Sequence, residues 1–232
     1  MNLNIGNSIF PGLNDDQGLM ICGYEWGFSE EDQRLFESGE GIFFDKDAVT
    51  TFPNKVPAHG DRALSWRYDN RVLKWFSLWG HPLSRVSLGG DFEKSIIQTN
   101  WCNTESHKIK ENYYHKLTNR EQLDNFIRHI ERLKPSLILF MGSEMINILQ
   151  DKFILELFST IMGSPKAKPH IEQKPFSGRR FKIGFQYFDR CDVVSLPHPS
   201  SSRGLSDDYI SLFTEEIGRL IAEFKERKSI VA

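Results

Sequence analysis

The sequence predicts an α/β domain built on a mostly parallel sheet covered by helices. Short apolar runs alternate with amphipathic helical patterns along the 232 residues, no repeat is present, and a hydrophobic content of 39% with 26% charged residues is that of a folded domain. One domain spanning residues 1–232 is an ordinary size for this class.

In chain order, Gly18-Leu-Met-Ile-Cys-Gly-Tyr24 reads as a buried strand, and Ser29-Glu-Glu-Asp32 as a capped helix start. Residues 39–61, rich in Gly, Pro, Phe and Asp, read as a long ordered loop. A helix is expected over 67–79, with Val72, Leu73, Phe76 and Leu78 as its apolar face. Ser95-Ile-Ile-Gln-Thr-Asn100 reads as a second strand, breaking into a loop at Asn100. Thr118-Asn-Arg-Glu121 looks like a capping box opening a helix with Leu123, Phe126, Ile127, Ile130 and Leu133 at helical spacing, ended by Pro135.

A central strand over 136–141 then leads through Gly142 into a helix reaching Phe158. Residues 162–180 read as a mobile basic loop. Strands follow over 181–188 and 192–196, and one amphipathic helix over 207–227 closes the chain.

The formal net charge of −2 excludes a protein that coats nucleic acid over its whole surface. Residues 1–100 carry 9 Lys+Arg against 14 Asp+Glu, whereas 101–190 carry 15 against 10, so a local basic face is allowed. Cys22, Cys102 and Cys191 form no C-x-x-C pair, which argues against a zinc or iron–sulfur site and fits a reduced, cytoplasmic compartment. No signal peptide or membrane span is evident, and no metal or redox cofactor is expected.

Open α/β sheets place ligands at the carboxyl ends of their strands. Three loops there carry polar residues: Gly23-Tyr-Glu-Trp-Gly27, Thr99-Asn-Trp101 and His198-Pro-Ser200. Gly23 and Gly27 permit close backbone approach, and Glu25 between them reads as a carboxylate at the cleft mouth. Asn100 offers an amide that donates and accepts at once, which suits a nucleobase edge, although Asn is also a common turn former. His198 precedes Pro199, which favours an extended or turn backbone. The basic run Lys166–Arg180 reads either as a solvated loop or as a phosphate-binding patch.

Gln98-Thr-Asn-Trp-Cys102 and Leu196-Pro-His-Pro-Ser-Ser-Ser-Arg-Gly204, with the Gly23 loop and the strand at Leu137, resemble the uracil-DNA glycosylase superfamily in order and spacing, from about Leu19 to the last helix. The resemblance implies a three-layer α/β/α sandwich and hydrolysis of an N-glycosidic bond in single- or double-stranded DNA. It implies Glu25 as the group orienting water and supporting the sugar cation, Asn100 as reader of the base edge, and His198 as hydrogen-bond donor to the departing base. The pocket would include Gly23, Tyr24, Trp26, Gly27 and Phe28. Phe28, Phe43, Phe44 or Trp66 would stack on the base. Ser200 would contact phosphate, and Ser201, Ser202, Arg203 and Leu205 would form the loop entering the duplex on base flipping, with Leu205 as a wedge.

The chain departs from the family in carrying Trp26 where proline is usual and Glu25 where Asp or Asn is usual. Three other classes compete: a binding module that keeps the fold without the chemistry, a serine hydrolase (for which no G-x-S-x-G elbow is present), and a protein-interaction domain.

Overall fold

The computed structural model describes residues 3–27, 34, 37–38, 44–106, 113–178 and 181–230. Its strands are β1 (Leu19–Gly23), β2 (Trp26–Gly27), β3 (Ile96–Asn100), β4 (Glu105–Ser106), β5 (Leu137–Met141), β6 (His170–Glu172), β7 (Ile183–Tyr187) and β8 (Asp192–Leu196). Six form one sheet in the order β3-β1-β5-β8-β7-β6, and β2 pairs with β4 separately. The first four of that order are parallel, while β7 and β6 run antiparallel at one edge.

Every residue of β1, β3, β5 and β8 is buried, because helices cover both faces; this is why these strands read as unbroken runs rather than alternating ones. The period of two still sorts them. Leu19, Ile21, Leu139 and Val194 pack with the helices Arg67–Leu78 and Thr214–Arg227. Met20, Cys22, Ile138 and Phe140 pack on the other face with the helices Arg120–Leu133 and Lys152–Met162. The Arg120–Leu133 helix buries the Leu123, Phe126, Ile127, Ile130 and Leu133 stripe expected from its spacing.

Several expectations are corrected. The expected capping box is a simple N-cap one residue later: Asn119, not Thr118, accepts from the Glu121 N–H at 3.0 Å, and Thr118 ends a preceding helix, Tyr113–Thr118. The helix after β5 is two helices, Met145–Ile148 and Lys152–Met162, because Asp151 caps the second through Phe153 N–H and Ile154 N–H. The last helix is also two, Asp207–Ser211 and Thr214–Arg227. The described part of the 39–61 loop contains the helix Val56–His59. The basic segment contains β6, which extends the sheet edge beside β7, so it is not loop throughout. The expected helix start at Ser29–Asp32 lies outside the described residues, as do Phe28 and Phe43.

Lys55 anchors the 44–65 segment. Its ammonium lies 2.7 Å from Asp69 Oδ2 and also donates to Gln98 Oε1, with both charged side chains under 10% exposed. Among the described residues no helix is long and apolar enough to cross a membrane.

Candidate functional site

Parallel register brings the sequence-predicted loops to one end of the sheet. Gly23 pairs with Asn100, and Met141 with Leu196, so the chain leaves β1, β3, β5 and β8 side by side. The first two loops are laced together: Trp101 N–H donates to Gly23 O at 2.9 Å and Cys102 N–H to Tyr24 O at 2.8 Å. Asn125 Nδ2 holds the carbonyls of Asn100 and Trp101 from below, and Trp101 stacks on Phe126 with centroids 3.8 Å apart.

Gly23 has to be glycine because a Cβ there would lie 2.3 Å from Asn100 Oδ1. The Asn100 side chain therefore lies across the end of β1. It is only 7% exposed, and among the described residues its amide makes no hydrogen bond, which leaves its NH2 donors and its carbonyl oxygen for a ligand. The same Cβ position lies 3.7 Å from the Tyr68 hydroxyl, which likewise has no hydrogen-bond partner among the described residues. Burial, with Asp69 and Cys22 nearby, raises the Tyr68 pKa well above its ordinary value, so the phenol stays protonated.

His198 follows β8. Its Nδ1 accepts from Ser200 N–H and Ser201 N–H, each at 3.2 Å, and faces Ser200 Oγ at 3.3 Å. A nitrogen that accepts from two backbone donors carries no proton, so the neutral ring holds its proton on Nε2. Burial acts in the same direction and lowers the pKa from 6.5 to about 4. The half-buried ring lies between Tyr24, nearly parallel at 6.3 Å between centroids, and Tyr68 at 5.7 Å. Tyr24 in turn packs over Gly142, where a Cβ would be 2.2 Å from its ring, and stacks on Tyr113 at 4.6 Å.

Glu25, read from the sequence as a carboxylate at the cleft mouth, is engaged by two side chains. Its Oε2 accepts from Lys116 Nζ at 2.5 Å and from Thr104 Oγ1 at 2.8 Å, and its side chain is 5% exposed. The carboxylate is thus held in a nearly buried ion pair. Trp26 packs against Gly6, and its buried Nε1–H has no partner among the described residues, while Gly27 is exposed.

Phe44 is 60% exposed with its ring 5.0 Å from His59, which in turn meets Trp66 at 4.8 Å; the rings that flank His198 are Tyr24 and Tyr68 instead. Ser200, Ser201 and Arg203 are exposed and Ser202 is half-buried. Leu205 does not project: it is 7% exposed and belongs to the core, so a wedge role would require it to leave that packing.

Tyr68 is the residue that sequence reasoning passed over. It lies one turn before Val72 on the apolar stripe of its helix, and a phenol at the end of a core stripe is the signal that marks it. Lys174 of the basic segment is engaged internally, donating to Leu212 O at 2.7 Å and to Glu216. A cavity of about 490 Å³ lies at the opposite end of the sheet, lined by Ser136, Asp192 and Arg227 among others, and one of about 170 Å³ lies against Phe176 and Tyr209. Neither contains Asn100, Tyr68 or His198; the strand-end site is marked by its unpartnered polar groups. No group of three or more metal-ligating side chains occurs among the described residues. No protein-family model matches the sequence, and the search of curated proteins found no match to it.

Proposed function

We propose that this chain is a DNA glycosylase-like hydrolase of the uracil-DNA glycosylase type, cleaving the N-glycosidic bond of uracil or another damaged or modified base flipped out of DNA. The observation that carries the reading is the pairing of an unengaged Asn100 amide over Gly23 with a neutral His198 whose Nδ1 is already occupied. Asn100 reads the edge of the base. Water attacks C1′ of the sugar, the C1′–N bond breaks with its electron pair leaving on the base, and the base takes up the proton lost by water. Negative charge collecting on a base oxygen meets His198 Nε2–H, a donor already oriented before reaction. The carboxylate of Glu25, shared with Lys116 and Thr104, supplies negative charge toward the sugar cation. Exposed Ser200, Ser201 and Arg203 lie on the loop that would meet phosphate, and that loop leaves β8 at the same end of the sheet as Gly23 and Asn100.

A second reading is a catalytically degenerate nucleic-acid or nucleotide-binding module. The Glu25–Lys116 ion pair favours it, since the carboxylate that would orient water is already engaged.

An oligonucleotide panel carrying single uracil, hypoxanthine, xanthine or modified-pyrimidine lesions separates the two. Alkali-labile sites that disappear in His198→Ala support the glycosylase. Base-dependent binding without abasic product supports the binding module and removes the first reading.

A further inference from the structure

Residues 197–206 leave β8 and return to the helix Asp207–Ser211, and Arg71 holds this loop at three points. Its Nη1 donates to Pro199 O at 2.7 Å, its Nη2 to Leu205 O at 2.5 Å, and its Nε to Asp207 Oδ1 at 3.0 Å. Trp75, one turn along the same helix, donates to the same Asp207 oxygen at 3.0 Å and lies 5.7 Å from the guanidinium. The Arg71 side chain is 17% exposed, so the contact is shielded from solvent. Only a planar fork of five donors can reach two carbonyls and a carboxylate together; lysine cannot.

The contact to Pro199 has a specific consequence. The carbonyl of Pro199 and the N–H of Ser200 belong to one planar trans peptide group, with oxygen and hydrogen pointing in opposite directions. Arg71 grips the oxygen end of that plane, and His198 Nδ1 accepts from the other end at 3.2 Å. Rotating the plane to lose one contact loses the other. From the same helix Tyr68 faces the ring itself, so the segment Arg67–Leu78 meets His198 both directly and through its loop.

We propose that Arg71 is a positioning residue for His198: by fixing the Pro199–Ser200 peptide plane it holds one of the two backbone N–H groups that Nδ1 accepts from, and so biases the ring toward carrying its proton on Nε2. The functional weight of this rests on His198 being the working donor, but the effect itself is read from the ring with no substrate present. A glycosylase assay that fails on every oligonucleotide therefore leaves the inference standing, and the reverse holds too. The titratable groups facing the ring are the Tyr24 and Tyr68 phenols, both kept neutral by burial, so neither introduces a charge that competes with Arg71 over the range measured.

The test is a pH titration of the His198 ring nitrogens by ¹⁵N NMR in wild type, Arg71→Ala, Arg71→Lys and Lys74→Ala. Wild type should show an unprotonated Nδ1, a protonated Nε2 and a midpoint of about 4. Arg71→Ala should loosen the Ser200 N–H contact to Nδ1 and mix the two tautomers. Arg71→Lys, which keeps the charge beside Asp207 but cannot bridge both carbonyls, should move the ring in the same direction by less; it carries the test if Arg71→Ala does not fold. Lys74→Ala removes the other cation on Asp207, 2.7 Å from Oδ2, and should leave the ring unchanged. A folded Arg71 variant with a wild-type ring overturns the inference. So does a Lys74→Ala ring displaced as far as that of Arg71→Ala, since the effect would then run through Asp207.

Discussion

Asn100 lies across the α-carbon of Gly23, and the two residues are register partners at the carboxyl ends of adjacent parallel strands. A methyl group at position 23 would stand 2.3 Å from Asn100 Oδ1. Gly23→Ala therefore has to expel the amide or shift the strand, at about 1–3 kcal/mol, the usual range for overpacking. For a chain of this size that is roughly 2–4 °C in Tm per kcal/mol. Adding Asn100→Ala should recover most of the loss. Thermal melts of the four members of this double-mutant cycle check it; additive losses would show that the two side-chain positions do not compete.

His198 has a folded-state pKa depressed from 6.5 to about 4. Between those values the unfolded chain binds the proton and the folded chain does not, so this residue makes stability fall as pH drops from 6.5 toward 4. His198→Gln should flatten that part of the Tm-against-pH curve and leave it unchanged above pH 7. Activity that depends on neutral His198 should likewise hold through neutral pH and be lost as pH falls through about 4.

The Tyr68 hydroxyl has no protein partner among the described residues, so its removal should touch ligand binding more than folding. Tyr68→Phe is expected to change stability by less than about 0.5 kcal/mol. It should weaken binding of a base-containing ligand by roughly 2- to 10-fold, the worth of one hydrogen bond. Chemical denaturation and ligand titration on the same preparation separate the effects. Lower stability with unchanged binding would make Tyr68 a structural residue only.

Glu25 and Lys116 form a nearly buried pair, with side chains 5% and 13% exposed. Removing one partner strands a charge, and Glu25→Gln or Lys116→Met should each cost about 3 kcal/mol or more. The double variant should cost less than the sum of the singles. Urea melts measure it, and full additivity would mean that the contact contributes no coupling.

Much of this is legible in the sequence, for reasons visible in particular residues. The runs at Leu19, Ile96, Leu137 and Asp192 are buried on both faces and so read as short unbroken strands. Gly23, Asn100 and His198 stood out because each is the last residue of such a run or lies just past it. The breaks at Leu149–Asp151 and Leu212–Phe213 were not legible, since no Gly or Pro marks them and the apolar spacing continues across. β6 was hidden in a Lys- and Pro-rich segment because its strand character comes from pairing with β7 rather than from its own composition. Tyr68 and the pairing of Glu25 with Lys116, 91 residues apart in sequence, depend on tertiary contacts that spacing along the chain does not encode.

The most direct test of the central claim is incubation of the lesion-bearing oligonucleotides with the protein in ¹⁸O-labelled water, followed by mass spectrometry of the products. Hydrolysis at the N-glycosidic bond predicts free base without label, a single ¹⁸O on the abasic sugar, and a rate falling by roughly 10²- to 10³-fold in His198→Ala, the loss seen when one preorganised donor is removed. Intact oligonucleotides across the panel, or base release unaffected by His198→Ala, would contradict it.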